Sequence, residues 1–289
     1  MPKTTQKISN LNNIYSRYQI FVFDLWGVVH DGTALIQDTV RLINKLDKAK
    51  KKIVFLSNSS RSSRSVEKLL ESMGLSLKKN HKLVTSGEFF KHSTKNDTSL
   101  SVRNKFYDLG GSFRTLEDTE LEFVDSLNEC DYIIITMNSH TGGGDEEFWT
   151  RELEEAAKKG IPALCINPDF QAPHGELFHY TPGYFANKYK NLGGSVRYFG
   201  KPHVPIYEFA LSENIKKNFI SKKNIIAIGD SLATDVKGAK AFGIDSLLFL
   251  RRGIHKAYYK KSEQELLSLY NEHDIYPTYI TDDMLLANQ

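Results

Sequence analysis

The chain has 289 residues, 40% hydrophobic and 25% charged, enough apolar material for a sizeable core and, at roughly 150 residues per domain, for two domains. Lys and Arg number 38 against 35 Asp and Glu; this net charge of +3, with cations interspersed among acids, excludes the basic stripe of a nucleic-acid-binding protein. Two cysteines, Cys130 and Cys165, exclude a disulfide-rich scaffold. The polar start and apolar runs far shorter than the ~20 residues of a membrane span predict a cytoplasmic protein with no membrane partner.

In chain order, Ile20-Phe21-Val22-Phe23 reads as a buried strand, followed by a helical pattern through Val40, Leu42, Ile43 and Leu46. Ile53-Val54-Phe55-Leu56 is the next strand, and a helix carrying Val66, Leu69 and Leu70 ends near Gly74. Residues 86–193 read as a separate α/β unit, with strands at Tyr132 to Ile135 and Ala163 to Ile166 and a helix from Glu146 to Lys159 closed by Gly160. A short run, Val196 to Phe199, precedes the strand Ile225-Ile226-Ala227-Ile228, a helix around Val236 to Ala241 and the strand Ser246 to Phe249. The tail beyond Arg251 is helical in pattern and is expected to end the sheet near Tyr279-Ile280. Continuous apolar strands alternating with helices predict an α/β fold with a parallel sheet: a three-layer core from residues 1–85 and 194–289, with an α/β unit of residues 86–193 inserted in it.

Ligands of such sheets sit beyond the carboxyl ends of the strands, so the polar residue after each apolar run is the place to look. Asp24 follows the first, Ser57-Asn58 the second, Gly229-Asp230 the strand from Ile225, and Lys201 follows Val196 to Phe199 through Gly200. Each alone reads as a turn former or helix cap. Four of them expected at one sheet edge, two acids and a lysine included, argue for a site.

Phe23-Asp24-Leu25-Trp26-Gly27-Val28, Leu56-Ser57-Asn58, Gly200-Lys201-Pro202-His203 and Gly229-Asp230-Ser231-Leu232-Ala233-Thr234-Asp235 together resemble the four motifs of the haloacid-dehalogenase-like (HAD) superfamily. Thr85-Ser86-Gly87 and Asn167-Pro168-Asp169 narrow the resemblance to subclass IIA, with the NagD-type, pyridoxal-phosphate and phosphoglycolate phosphatases, over about Tyr18 to Arg252. The resemblance implies a Rossmann-like HAD core with an inserted cap that reads the substrate, Mg²⁺ as cofactor, a small phosphorylated metabolite as substrate and a homodimer. The residue chemistry agrees. The Asp24 carboxylate can attack phosphorus and form an acyl-phosphate. Asp24, Asp230 and a backbone carbonyl can hold an oxygen-loving Mg²⁺; by resemblance that carbonyl is Trp26's, with Asp235 orienting the metal's surroundings. Lys201 neutralises phosphoryl oxygens, and Ser57 and Asn58 offer a hydroxyl and a backbone N–H to phosphate. The run Ser57 to Ser60 also reads as an N-cap cluster, and His203 as a loop brace.

Trp26 departs from the family pattern, in which a second aspartate at this position protonates the leaving oxygen and then activates water. An indole can carry out neither transfer. Three readings compete: His30 or Asp31 substitutes as acid–base, the substrate has a leaving group that needs no proton, or the protein binds a phosphorylated ligand without efficient turnover. A carbon–halogen hydrolase is disfavoured, because Asp230 and Asp235 would have no purpose there. Within residues 86–193, Asp169 is expected to face the site or the hinge and to contact substrate, and Tyr184, Lys188 and Tyr189 read equally as cap contacts or as core and surface residues. The loop Ser139 to Asp145, with Gly142, Gly143 and Gly144, allows close backbone approach or a mobile turn.

Overall fold

Strands buried on both faces must be apolar along their whole length, and Ile20–Phe23 and Ile225–Gly229 are buried at every position. The computed structural model describes residues 5–12, 14–109, 121–136, 146–174 and 177–284. Its elements begin with β1 (Gln6–Lys7), β2 (Ile20–Phe23), α1 (Gln37–Lys48), β3 (Lys52–Ser57), α2 (Ser63–Ser72) and β4 (His81–Thr85). There follow α3 (Ser86–Asn96), α4 (Thr98–Val102), β5 (Lys105–Asp108), β6 (Glu122–Phe123), β7 (Tyr132–Ile135), α5 (Glu146–Lys158) and β8 (Ala163–Cys165). The antiparallel hairpin β9 (Gln171–His174) and β10 (Leu177–Tyr180) leads to α6 (Pro182–Asn191) and β11 (Val196–Tyr198). The order closes with α7 (Val204–Asn218), β12 (Ile225–Gly229), α8 (Lys237–Phe242), β13 (Asp245–Phe249), α9 (Glu263–His273) and β14 (Tyr279–Thr281).

The main sheet is seven-stranded in the order β1-β14-β13-β12-β2-β3-β4, with every pairing parallel. Alternate residues of each strand feed two separate cores. Phe21, Phe23, Phe55 and Ile228 pack with Leu42, Ile43 and Leu46 of α1. Ile20, Val22, Val54 and Ala227 pack with Ile206, Tyr207 and Ala210 of α7. Helix α1 buries Thr39, Leu42, Ile43 and Leu46, the i, i+3, i+4, i+7 stripe of an amphipathic helix. These are the three layers expected. From β2 the chain steps outward through β3 to β4, whereas β12, β13 and β14 step the other way. The order therefore reverses between β2 and β12, where a crevice opens beyond the strand ends.

A second parallel sheet, β11-β8-β7-β5-β6, carries its own two cores. Ile133, Ile135 and Ala163 pack against Trp149, Leu153 and Tyr189, while Ile134, Leu164 and Ile166 pack against Phe90, Phe106 and Phe199. Two expectations are corrected here. The run at Val196 belongs to this second sheet, because β11 pairs with β8, so Lys201 approaches the site from outside the main sheet and past the expected boundary at 193. Nor does β14 end the main sheet, since the two-residue β1 pairs beyond it at Gln6↔Tyr279. The helix expected over Val236 to Ala241 is α8, entered through a π-helical turn, Leu232–Val236. No helix among the described residues is long and apolar enough to cross a membrane, and both cysteines are free thiols.

Ile228 is 1% exposed at the heart of the sheet. Truncation to Ala is expected to cost about 2–5 kcal/mol in chemical denaturation; a loss under about 1 kcal/mol would contradict this packing.

Candidate functional site

Asp24 and Asp230 follow the two strands that flank the reversal, β2 and β12, and the Asp24 amide is tied across to Ile228 O at 2.9 Å. The π-helical turn after β12 brings Asp235 back under the same crevice, where its Oδ2 accepts from Ser231 N at 3.2 Å. Oxygens of Asp24, Asp230 and Asp235 all lie within 4.8 Å of one another. Into this cluster reaches Lys201, whose Nζ is 2.6 Å from Asp24 Oδ1 and 2.7 Å from Asp235 Oδ1. Three glycines make the approach possible. A Cβ on Gly229 would stand 2.1 Å from Asp235 Cγ, and one on Gly253 1.8 Å from Asp230 Oδ2. One on Gly27 would stand 2.4 Å from that same Asp230 oxygen. The Asp230 Oδ2 also accepts from Ile254 N at 2.8 Å.

Crowding of buried acids sets the electrostatics. Burial, with the charges of Asp235 and Asp169, pushes Asp24 up to about 7 against the pull of Lys201. Burial and the neighbouring Asp24 raise Asp230 well above the carboxylate range. Burial opposes the Lys201 charge, yet Asp235, Asp24 and Asp169 hold its ammonium well above the ordinary lysine value. Oxygen donors this close, all acidic and with one cation between them, fit a hard divalent ion such as Mg²⁺. Asp24, Asp230 and Asp235 are the side chains placed to surround it.

The second sheet is tied to this cluster by Asn58. Its Oδ1 accepts from Lys201 N at 2.7 Å and from Ser86 Oγ at 3.3 Å; its Nδ2 donates to Lys201 O at 3.1 Å and to Asp169 Oδ1 at 2.8 Å. A Cβ on Gly200 would come within 2.6 Å of Asn58 Oδ1, so glycine is required where the strands close on this side chain. Ser57 is buried at the end of β3, its Oγ accepting from Ser59 N at 3.2 Å. The N-cap of α2 is Ser62, so the run Ser57 to Ser60 is a loop across the site and not the cap. Thr85 caps α3 through Glu88 N and donates to Arg61 O, which pins that loop from beneath.

His30 and Asp31 are not joined to the cluster. His30 is buried, its Nδ1 accepts from Gly32 N at 3.0 Å, and its ring meets the Trp26 indole edge-on at 5.3 Å. Burial pushes it down to about 4, so it is neutral at physiological pH. The Asp31 Oδ1 accepts from Thr33 N, Thr33 Oγ1 and Ala34 N, and its Oδ2 lies 3.8 Å from Arg252. These bonds outweigh its desolvation and hold it below the usual carboxylate range. Neither side chain has a hydrogen bond or ion pair to Asp24, Lys201 or Asp169 among the described residues. The Trp26 indole lies over Gly32, where a Cβ would come 2.7 Å from the ring, and its Nε1 is buried without a partner among the described residues.

His203 stacks on Tyr198 at 4.9 Å. Tyr184 stacks on Tyr180 at 3.9 Å beneath Lys188, and Tyr189 is buried with its hydroxyl donating to Ile161 O. The glycine loop at 142–144 lies outside the described residues. The Asn58 brace was not readable in advance, because its partners are 111 and 143 residues away.

The reversal point of a parallel α/β sheet here gathers three carboxylates and a buried lysine, a set of groups able to hold a cation beside an anionic group. The model of haloacid dehalogenase-like hydrolases matches residues 21–114, and that of HAD-hydrolase-like proteins matches 198–285. The two matches place the chain among the haloacid dehalogenase-like hydrolases. No curated protein matches the sequence. Among solved structures, a haloacid dehalogenase-like hydrolase from Brucella suis is similar at 24% identity and a TM-score of 0.78, over 96% of this chain and 100% of that one. A possible sugar phosphatase from Cytophaga hutchinsonii is similar at 21% identity and a TM-score of 0.80, over 99% and 100%. A glycerol phosphate phosphatase from Mycobacterium tuberculosis, in complex with calcium, is similar at 22% identity and a TM-score of 0.66, over 93% and 74%.

Mg²⁺ is expected to stabilise the protein by about 2.7 kcal/mol at ~100 times its dissociation constant, and Asp230→Asn is expected to remove that stabilisation. With Asp24 raised to about 7, protons compete with the cation, so the thermal shift should shrink as pH falls through that value. A shift unchanged by Asp230→Asn would place the cation elsewhere.

Proposed function

We propose that the protein is a Mg²⁺-dependent phosphohydrolase acting on a small phosphorylated metabolite (a nucleotide, sugar or cofactor monophosphate) through an aspartyl-phosphate on Asp24. The observation that carries this reading is Lys201 Nζ lying 2.6 Å from Asp24 Oδ1 inside a cluster of three carboxylates. A lone nucleophilic acid needs no such company, whereas an acid that must meet a phosphate dianion needs positive charge on both sides. The phosphatases among the similar structures support the same reaction class.

In the proposed reaction an Asp24 oxygen attacks phosphorus and the bond from phosphorus to the ester oxygen breaks. Water then attacks phosphorus, the bond to Asp24 breaks and phosphate leaves. Lys201 holds Asp24 in place and balances charge on the phosphoryl oxygens, with Ser57 and the Asn58 backbone at the phosphate. Asp24, Asp230 and the Trp26 carbonyl, with Asp235 beside them, would hold a divalent ion, which would supply charge neutralisation at the phosphoryl group. Core and cap are assigned as in the sequence reading, the cap extended to β11 because that strand pairs with β8.

A second reading, a phosphoryl-ligand binding protein with weak turnover, is favoured by Trp26 alone, since the indole has no basic nitrogen and its N–H is too weak an acid for either proton transfer. The two separate on a panel of phosphate esters with Mg²⁺. The hydrolase reading expects Asp24→Asn to lower turnover by a factor on the order of 10⁴ or more. Activity undiminished by Asp24→Asn would end the covalent mechanism, and ligand-induced stabilisation without turnover would establish the binding protein.

A further inference from the structure

We propose that Asp169, carried by the second sheet, is the acid–base of this reaction, doing the work that Trp26 cannot. The proposal rests on the phosphohydrolase reading and names the missing proton carrier within it.

Nucleophile and leaving group stand in line on opposite sides of phosphorus. Asp24 reaches phosphorus from the end of β2 in the main sheet, so the leaving oxygen must depart toward whatever faces that strand end. Asp169 lies in the loop after β8 of the second sheet, and its carboxylate meets Asn58, which in turn holds the Lys201 backbone. Asn58 thus links Asp169 of the second sheet to Lys201, whose ammonium lies 2.6 Å from Asp24. The groups facing Asp169 are Asn58 and Thr234, which hydrogen-bond to it, and the charges of Lys201 and Asp235.

The backbone at Asp169 is fixed as a proton carrier requires. Its N–H donates to Asn167 Oδ1 at 3.1 Å, and its carbonyl accepts from Gly183 N at 3.0 Å and from Thr181 Oγ1. A Cβ on Gly183 would come within 2.4 Å of that carbonyl and 2.2 Å of Pro168 O, so α6 starts hard against the loop. Burial raises the Asp169 carboxyl, although Lys201 and Asn58 work the other way. The other titratable candidates are spent, His30 neutral in the core and Asp31 ionised and tied to its own turn.

The proton balance closes. As Asp24 bonds to phosphorus, protonated Asp169 gives its proton to the departing ester oxygen, which leaves as the alcohol. The Asp169 carboxylate then takes a proton from the water that attacks phosphorus, Asp24 is released with phosphate, and Asp169 is again the acid.

The test compares p-nitrophenyl phosphate, whose leaving group departs without a proton, with phenyl phosphate, whose leaving group is more basic. Asp169→Asn keeps an acceptor for Asn58 and removes the proton. With p-nitrophenyl phosphate it should retain a burst of one p-nitrophenol per site while steady turnover falls by ~10²–10⁴, leaving phosphorylated protein visible by mass spectrometry. With phenyl phosphate the burst should be lost as well. Trp26→Asp added to Asp169→Asn should recover turnover. Equal losses on both esters with no phosphoprotein, in Asp169→Asn and in a folded Asp169→Ser alike, would make the residue a brace and overturn the proposal. Full activity in Asp169→Asn would overturn it too. A wild-type protein that hydrolyses neither ester, or does so without Asp24, would instead fail the phosphohydrolase reading beneath it.

Discussion

The contact on which the rest depends is the Lys201 ammonium set between Asp24 and Asp235, at 2.6 and 2.7 Å. Burying charges is costly unless they are paired, and a partner removed from a buried pair leaves the remaining charge exposed to that cost. Here one lysine faces Asp24, Asp169, Asp230 and Asp235, so the pocket holds more negative charge than it can balance. Burial eases that excess by favouring the protonated forms of Asp24 and Asp230, and a bound divalent cation would take the place of those protons. The surrounding backbone has given up side chains to permit it: Gly27, Gly229 and Gly253 stand where any Cβ would strike Asp230 or Asp235.

That excess also ties the two sheets into one device. The main sheet alone provides Asp24, Asp230 and Asp235 but no lysine, since Lys201 follows β11 of the second sheet. Asn58 joins the two, using both atoms of its amide on Lys201 and one on Asp169. A movement of the second sheet away from the first would therefore disturb the charge balance at Asp24 as well as uncover the crevice.

Much of this was legible in the sequence, for a definite physical reason. A strand buried on both faces must be apolar throughout, so the first polar residue after it marks the sheet edge; Asp24, Ser57 and Asp230 were found that way. The failures are equally physical. Val196-Arg197-Tyr198 is an edge strand with no fully buried position, and nothing in it says which sheet it joins. Gln6–Lys7 has no apolar pattern at all and pairs only because β14 is there to receive it. His30 and Asp31 looked serviceable by their neighbourhood in sequence, but a tight turn after β2 folds one into the core and ties the other to its own backbone. Long-range contacts such as Asn58 to Asp169 leave no local trace.

The central claim is a double displacement at phosphorus through Asp24, positioned by Lys201. Hydrolysis of an isotopically chiral phosphate ester in labelled water tests it most directly. Two successive in-line displacements return phosphate with retained configuration, which is the outcome predicted here; inversion would mean that water attacks the substrate in one step and would contradict the account.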